Sequence, residues 1–310
     1  MGKIHLKCLK KTKFEIAGFY DPNPETAEKV SLEFGMKAFG TLEDLINSVD
    51  CLDIVSPTPS HYQTAAQAIR QGRHVFIEKP LTETIGQAEE LVSLAQEKNV
   101  VVQVGHVERY NPAIRSLQNI SFSPRFIEAH RLATFNPRGT DVSVVLDLMI
   151  HDIDIVLHLI REEITDVRAN GVCIVSSTPD ICNARIEFAN GAVANLTASR
   201  ISMKNMRKIR IFQDDAYISL DFLDKQAQVI KIEDHVSDDS FSGMTIHTNE
   251  GLKRITIETP EIMLNNAIED ELNDFYQSVT GAHPVTVTIQ DGLKALKLAH
   301  LIEQKMKESK

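Results

Sequence analysis

Residues 74–80 read HVFIEKP, residues 84–99 TIGQAEELVSLAQEKN and residues 100–106 VVVQVGH. An apolar run, a helical pattern and a second apolar run in that order make a βαβ unit, and such units build parallel sheets. The same grammar runs upstream, with FEIAGFYD (14–21) before PETAEKVSLEFG (24–35), and CLDIVSP (51–57) before SHYQTAAQAIRQG (60–72). From Phe14 to Gly105 the chain is therefore expected to form half of a doubly wound, Rossmann-type α/β domain. In front of it, MGKIHLKCLKK (1–11) reads as a short amphipathic helix carrying Ile4, Leu6 and Leu9, with lysines at the end where the helix dipole favours them.

Beyond Gly105 the pattern changes. A Pro-started helix (NPAIRSLQ, 111–118) and a strand (RFIEAHRLA, 125–133) precede a long helical run from Asp141 to Ile160. Mostly strands follow to Thr259, among them NARIEFANGAVANLTASR (183–200) and KIRIFQDDAYISLDF (208–222), whose Ala-Asn-Gly and Asp-Asp read as hairpin turns. Hairpin after hairpin predicts a large, open, mostly antiparallel sheet in an α+β domain. The tail reads as helices at 261–280 and 290–307 around a short VTVT strand (285–288). The expected domains are 1–106 and 107–310, with the last helix able to pack back on the first.

Composition narrows the class. The 310 residues leave room for two domains of about 100 to 200 residues. A net charge of −10 argues against nucleic acid and anionic membrane as general partners, so any phosphate site must be local. Four cysteines without a CxxC pair indicate neither a zinc ribbon nor a disulfide framework, and no apolar run of membrane-spanning length or signal-peptide core is present. A cytoplasmic protein is expected.

Three features carry chemistry. Lys79 ends an apolar strand at the C-terminal edge of a parallel sheet, where ligands of open α/β sheets bind, and Pro80 stiffens the chain beside it. In VVLDLMIHDIDIVLHLI (144–160), Asp147, His151, Asp154 and His158 fall on one helical stripe. Satisfied core polar groups, an Asp147–His151 acid/base pair and a metal site all fit that spacing. From His106 to Thr140, Arg109, Arg115, Arg125, Arg131 and Arg138 face only Glu108 and Glu128, a local balance of +3 suited to phosphate. Gly2 opening a helix, with Asp21 nineteen residues later, matches only the last third of a dinucleotide fingerprint.

Taken in order, EKP at the end of a strand, GHVERYNPA after the next and DLMIHDID on a following helix resemble the glucose-fructose oxidoreductase, inositol dehydrogenase and rhizopine catabolism (Gfo/Idh/MocA) family. The resemblance runs from residue 2 to about residue 305. It implies hydride transfer between NAD and a sugar carbon, with Lys79, Asp147 and His151 catalytic. Gly2, Asp21, Thr58, His61, Glu78 and Lys79 are placed at the cofactor, and Asp21-Pro22, with no cation for a 2′-phosphate, favours NAD over NADP. Within the family the chain looks most similar to UDP-N-acetylglucosamine 3-dehydrogenases, a nucleotide-sugar substrate that Arg109, Asn111, Arg131 and Arg138 would hold. No bound metal is implied, and the family's sheet packing implies a homodimer or homotetramer. The resemblance also implies roughly ten further residues upstream, a strand and the first two glycines of the fingerprint, so an N-terminally truncated chain is expected. Two alternatives stay open: a non-catalytic nucleotide-sugar binding protein that has lost its dinucleotide site, and a metal-dependent hydrolase built on His151.

Overall fold

A computed structural model describes residues 1–136, 142–234, 244–249 and 251–308. Two compact units divide the chain, Met1–Val107 with Asn266–Leu296, and Glu108–Asn265 with the residues from Lys297 onward. The stretch 266–296, expected with the second domain, thus belongs to the first.

The first unit runs α1 (Gly2–Leu9), α2 (Pro24–Phe34), α3 (Leu42–Asn47), β1 (Cys51–Ile54), α4 (Thr58–Arg70), β2 (His74–Glu78), α5 (Ile85–Lys98) and β3 (Val102–Gly105). Local chemistry sets the helix ends. The Asn23 side chain accepts the Thr26 N–H at the start of α2, and Thr84 with Gln87 forms a reciprocal capping box on α5. The three strands pair in parallel in the order β1-β2-β3. Central β2 buries Val75, Phe76 and Ile77 completely, as a strand covered on both faces should.

FEIAGFYD departs from expectation. Among the described residues it makes one isolated parallel bridge, Phe19 to Ala38, and no ladder. Alternating side chains set which face a residue shows, but a strand also needs a neighbouring backbone to bond.

The second unit contains a 3-10 turn reaching Tyr110, α6 (Pro112–Arg115), β4 (Phe126–Leu132), a π-helical turn (Val145–Met149) and α7 (Ile150–Leu159). There follow β5 (Ile164–Val172), β6 (Ile181–Phe188), β7 (Val193–Ser199), β8 (Met206–Phe212), β9 (Ala216–Asp221), β10 (Gln226–Asp234), β11 (Met244–Thr248) and β12 (Gly251–Glu258). Asp141, expected to start the long helix, lies outside the described residues. The nine strands form one sheet ordered β11-β12-β10-β9-β8-β4-β7-β6-β5. Only β4–β7 is parallel, the other described pairs being antiparallel. In β4, β6, β7, β8 and β9 alternate residues, such as Ile127, Ile186, Leu196, Ile209 and Ile218, are buried, which is the period of a strand with one face on a core, whereas β11 is exposed throughout. Both expected hairpins form, and Gly191 supplies the positive φ of 81° that the turn between β6 and β7 needs.

The tail supplies α8 (Ala267–Val279) and α9 (Ile289–Glu308). In the first unit, Leu272 and Phe275 of α8 share an apolar cluster with Cys8 of α1 and Phe76 of β2. The expected VTVT strand is instead the entry to α9. Its Thr288 makes a single bridge to Gln103 and trades hydrogen bonds with Asp291 that fix the first helical turn. Among the described residues no helix is long and apolar enough to cross a membrane.

Candidate functional site

In the first unit the chemistry gathers at the C-terminal end of β2. Glu78 is its last residue, Lys79 follows half-exposed, and the Lys79-Pro80 peptide is cis. The Glu78 carboxylate does not point outward. Its Oε2 accepts the Lys79 backbone N–H at 3.1 Å and its Oε1 lies 3.0 Å from His5 Nε2. The other ring nitrogen of His5 is 3.0 Å from Asp53 Oδ2 on β1, so one imidazole from α1 bridges two strands. Burial alone would push this ring down, but the Asp53 and Glu78 carboxylates overcome it and push it up to about 10. His5 is therefore a buried imidazolium donating to two carboxylates. On the far side of Lys79, His61 Nδ1 lies 2.9 Å from the Pro80 carbonyl oxygen, and its Nε2 2.8 Å from that of Ser56.

These contacts revise two expectations. The resemblance places Glu78 and His61 at the cofactor. Both are buried, their polar atoms taken up by His5 and by backbone, so they brace the Lys79 turn from within. Thr58 is the first residue of α4 and is half-exposed. Gly2 is the first residue of α1, and a Cβ there would meet Val55 at an ordinary 3.5 Å, so space alone does not demand glycine. Asp21 Oδ1 accepts the Asn23 N–H in a turn that precedes α2.

In the second unit the helical stripe divides. Asp147, on the π-helical turn, and His151, on α7, are half-exposed. A π turn inside a helix is uncommon and occurs often at functional sites. One turn on, Asp154 is buried and receives Arg109 through Nε at 2.8 Å and Nη2 at 2.7 Å, while His158 Nδ1 accepts Arg109 Nη1 at 2.9 Å. Asp154 is thus a satisfied core group, and His158, half-exposed beside it, is tied to the same guanidinium. Among the described residues no three His, Cys, Asp or Glu side chains converge as a metal would need.

The same contacts correct the arginine assignments. Arg131 is 3% exposed and donates to both Asp152 oxygens through Nε and to Glu108 Oε1 through Nη1 at 2.8 Å. Burial opposes its charge, and Asp152 and Glu108 more than restore it, raising the guanidinium further. Asn111 caps α6 and donates to Glu108 and the Phe222 carbonyl. Arg109, Arg131 and Asn111 thus hold the unit together instead of facing a substrate. Arg138 lies outside the described residues.

His5 is the residue that sequence reasoning does not reach. The only signals are an acid inside the apolar run CLDIV and another closing VFIE, neither of which names its partner.

The three-strand parallel sheet, the Lys79 turn and the Asp147–His151 helix define the class. The chain belongs to the Gfo/Idh/MocA family of NAD-binding oxidoreductases. Residues 1–106 match the description "Oxidoreductase family, NAD-binding Rossmann fold" and residues 118–219 match "GFO/IDH/MocA C-terminal domain". The chain is 37% identical over 272 residues to the UDP-N-acetylglucosamine 3-dehydrogenase of Acidithiobacillus ferrooxidans, covering 87% of this chain and 83% of that protein. A solved structure of that enzyme superposes with a TM-score of 0.89 at 34% identity, over 99% of this chain and 94% of its own. The NAD(+)-dependent scyllo-inositol 2-dehydrogenase of Bacillus subtilis is 28% identical, over 59% of this chain and 58% of its own.

Proposed function

We propose that the protein is an NAD-dependent dehydrogenase that oxidises a ring CH–OH of a nucleotide sugar, with C3 of a UDP-N-acetylhexosamine as the reacting carbon. The similarity to the A. ferrooxidans enzyme over 87% of the chain carries this reading. With Arg109 and Arg131 committed to buried carboxylates, the diphosphate draws no support from them.

The residues present fit a dinucleotide. α1 starts at Gly2 with no side-chain cap, and the first amides of a helix lack intrahelical acceptors and favour an anion such as a pyrophosphate. Asp21, half-exposed after residues 14–20, is the acid for the ribose hydroxyls. Bound NAD+ supplies the hydride acceptor. In this reading His151, oriented by Asp147, takes the hydroxyl proton, and Lys79 is the cation that stabilises the developing negative charge. The alcohol loses one hydride and one proton and becomes a ketone.

NADH emission reports binding against a protein without tryptophan. The protein is expected to bind NADH and to form it from NAD+ when UDP-N-acetylglucosamine is added. Lys79→Ala or His151→Ala should lower kcat by about 10² or more, in the range typical of a lost acid–base group, with NADH affinity retained. NADH formation from inositols or free sugars but not from the nucleotide sugar would overturn the substrate. Sugar-nucleotide binding without NADH binding would replace the enzyme by a binder.

A further inference from the structure

Lys79 is held by its neighbours, and the neighbours are held by groups buried beneath them. We propose that His5 is a positioning residue for Lys79, acting through the Glu78 carboxylate that it fixes against the Lys79 backbone N–H. This rests on the reading of Lys79 as the group that meets the substrate hydroxyl.

Glu78 has three side-chain torsions and would wander if exposed. Here both of its oxygens are committed, Oε1 to His5 and Oε2 to the Lys79 N–H, so the peptide entering Lys79 has one place to be. Opposite Glu78 on β3 stands Gly105, where a Cβ would lie 3.1 Å from Glu78 Cδ and 3.2 Å from Oε1. Any larger residue there would crowd the folded-back glutamate and make it give by a few tenths of an ångström. His5 in turn cannot swing away without abandoning Asp53 as well. Both contacts run from a ring nitrogen to a carboxylate oxygen, and an imidazolium with two N–H groups satisfies both at once. At 1% exposure His5 is out of reach of any substrate and can act only through Glu78. Removing it leaves two carboxylates facing each other without a cation, and the one that moves releases Lys79.

The test compares wild type, His5→Gln, Lys79→Ala, their double variant and Glu78→Gln, by kinetics with UDP-N-acetylglucosamine and NAD+. Labelling of Lys79 by acetic anhydride, read by mass spectrometry against the other lysines, needs neither cofactor nor substrate. His5→Gln should lower kcat about tenfold or more, the scale of a misplaced catalytic group, with KM for NAD+ unchanged. That loss should vanish in the Lys79→Ala background, because coupled residues are non-additive, and Lys79 labelling should change about threefold or more.

Glu78→Gln is the conservative rescue. A neutral His5 then donates to Asp53 and accepts from the new side-chain amide, whose oxygen still takes the Lys79 N–H, so kcat should stay within about threefold of wild type. If His5→Gln fails to fold, Glu78→Leu removes the acceptor of the Lys79 N–H while leaving His5 on Asp53, and carries the same expectation as His5→Gln. Unchanged kcat and unchanged labelling in His5→Gln would overturn the proposal, as would an equal loss in the Lys79→Ala background. Full activity in Lys79→Ala, with labelling still altered by His5→Gln, would remove the catalytic reading of Lys79 and leave His5 as the residue that positions it.

Discussion

Replacing Arg131 by methionine separates a structural from a substrate-binding arginine. The side chain is 3% exposed, donates to Asp152 through Nε and Nη2 and to Glu108 through Nη1, and its removal takes from two buried carboxylates the buried cation they share. Arg207, exposed, keeps an ion pair with Glu108 at 3.7 Å but makes no hydrogen bond to it at that distance. Breaking a buried ion pair from one side costs about 3 to 5 kcal/mol, a large share of a total stability of about 5 to 15. With a urea slope of about 3 kcal/mol/M, the unfolding midpoint should fall by about 1 to 1.7 M, followed by far-UV circular dichroism at pH 8. Burial already pushes the Asp152 carboxyl up against the pull of Arg131, and without the cation it rises further. A carboxyl raised in the fold is penalised only where the unfolded chain is ionised, so the loss should be smaller at pH 5 than at pH 8. Exchanging the whole cluster, with Glu108→Gln and Asp152→Leu added, should recover more than half of the loss. A midpoint shift below about 0.3 M together with a KM for the sugar nucleotide raised about tenfold would refute the structural role.

Three further outcomes follow from other sites. His5 has its folded pKa raised from 6.5 to about 10, so its stabilisation is complete below pH 6.5 and is lost as the pH rises toward 10, on the order of 5 kcal/mol at 1.36 kcal/mol per unit. The urea midpoint should fall between pH 6.5 and 9.5 in wild type and stay flatter in His5→Gln, and equal slopes would contradict it. Burial pushes the Asp180 carboxyl up, but the backbone N–H groups of Ile174, Val175 and Ser176 outweigh it and hold it below its ordinary 3.8, stability present above that value and lost as the pH falls through it. Asp180→Ala should cost about 1 to 3 kcal/mol and speed proteolysis within residues 173–179, and an unaltered digestion pattern would count against this. Gly292→Ala would put a Cβ 2.7 Å from Val104 Cγ2 and should lower stability by about 1 to 3 kcal/mol, measurable as a lower Tm.

What the sequence showed, it showed where neighbours in the chain decide the outcome. α5 was legible because Thr84 and Gln87 cap it and Asn99 closes it in the left-handed conformation. Residues 14–20 and 285–288 alternate as strands do, but a ladder partner is a property of another segment, and the alternation does not report it. The arginine strip misled for a related reason. A charge balance taken from 106 to 140 omits Asp152 and Asp154, the carboxylates that hold Arg131 and Arg109. Asp147 and His151 could be put on a helix with Asp154 and His158, yet only the fold separates the half-exposed pair from the pair bound to Arg109. His5 is the extreme case, since its partners stand 48 and 73 residues away.

The lone parallel pairing in the nine-stranded sheet has a consequence for how the second unit assembles. On one side of β4, strands β5, β6 and β7 are successive hairpin neighbours, and on the other β8, β9 and β10 are too. Each set can close through short loops, whereas β4 must meet β7 with 67 residues separating Phe126 from Val193. Long loop closures are slow, so β4 is the seam at which two preformed sheets join last. Pulse-labelled hydrogen exchange should find amides of β6 and β9 protected before those of β4, and the reverse order would place the nucleus at the seam itself.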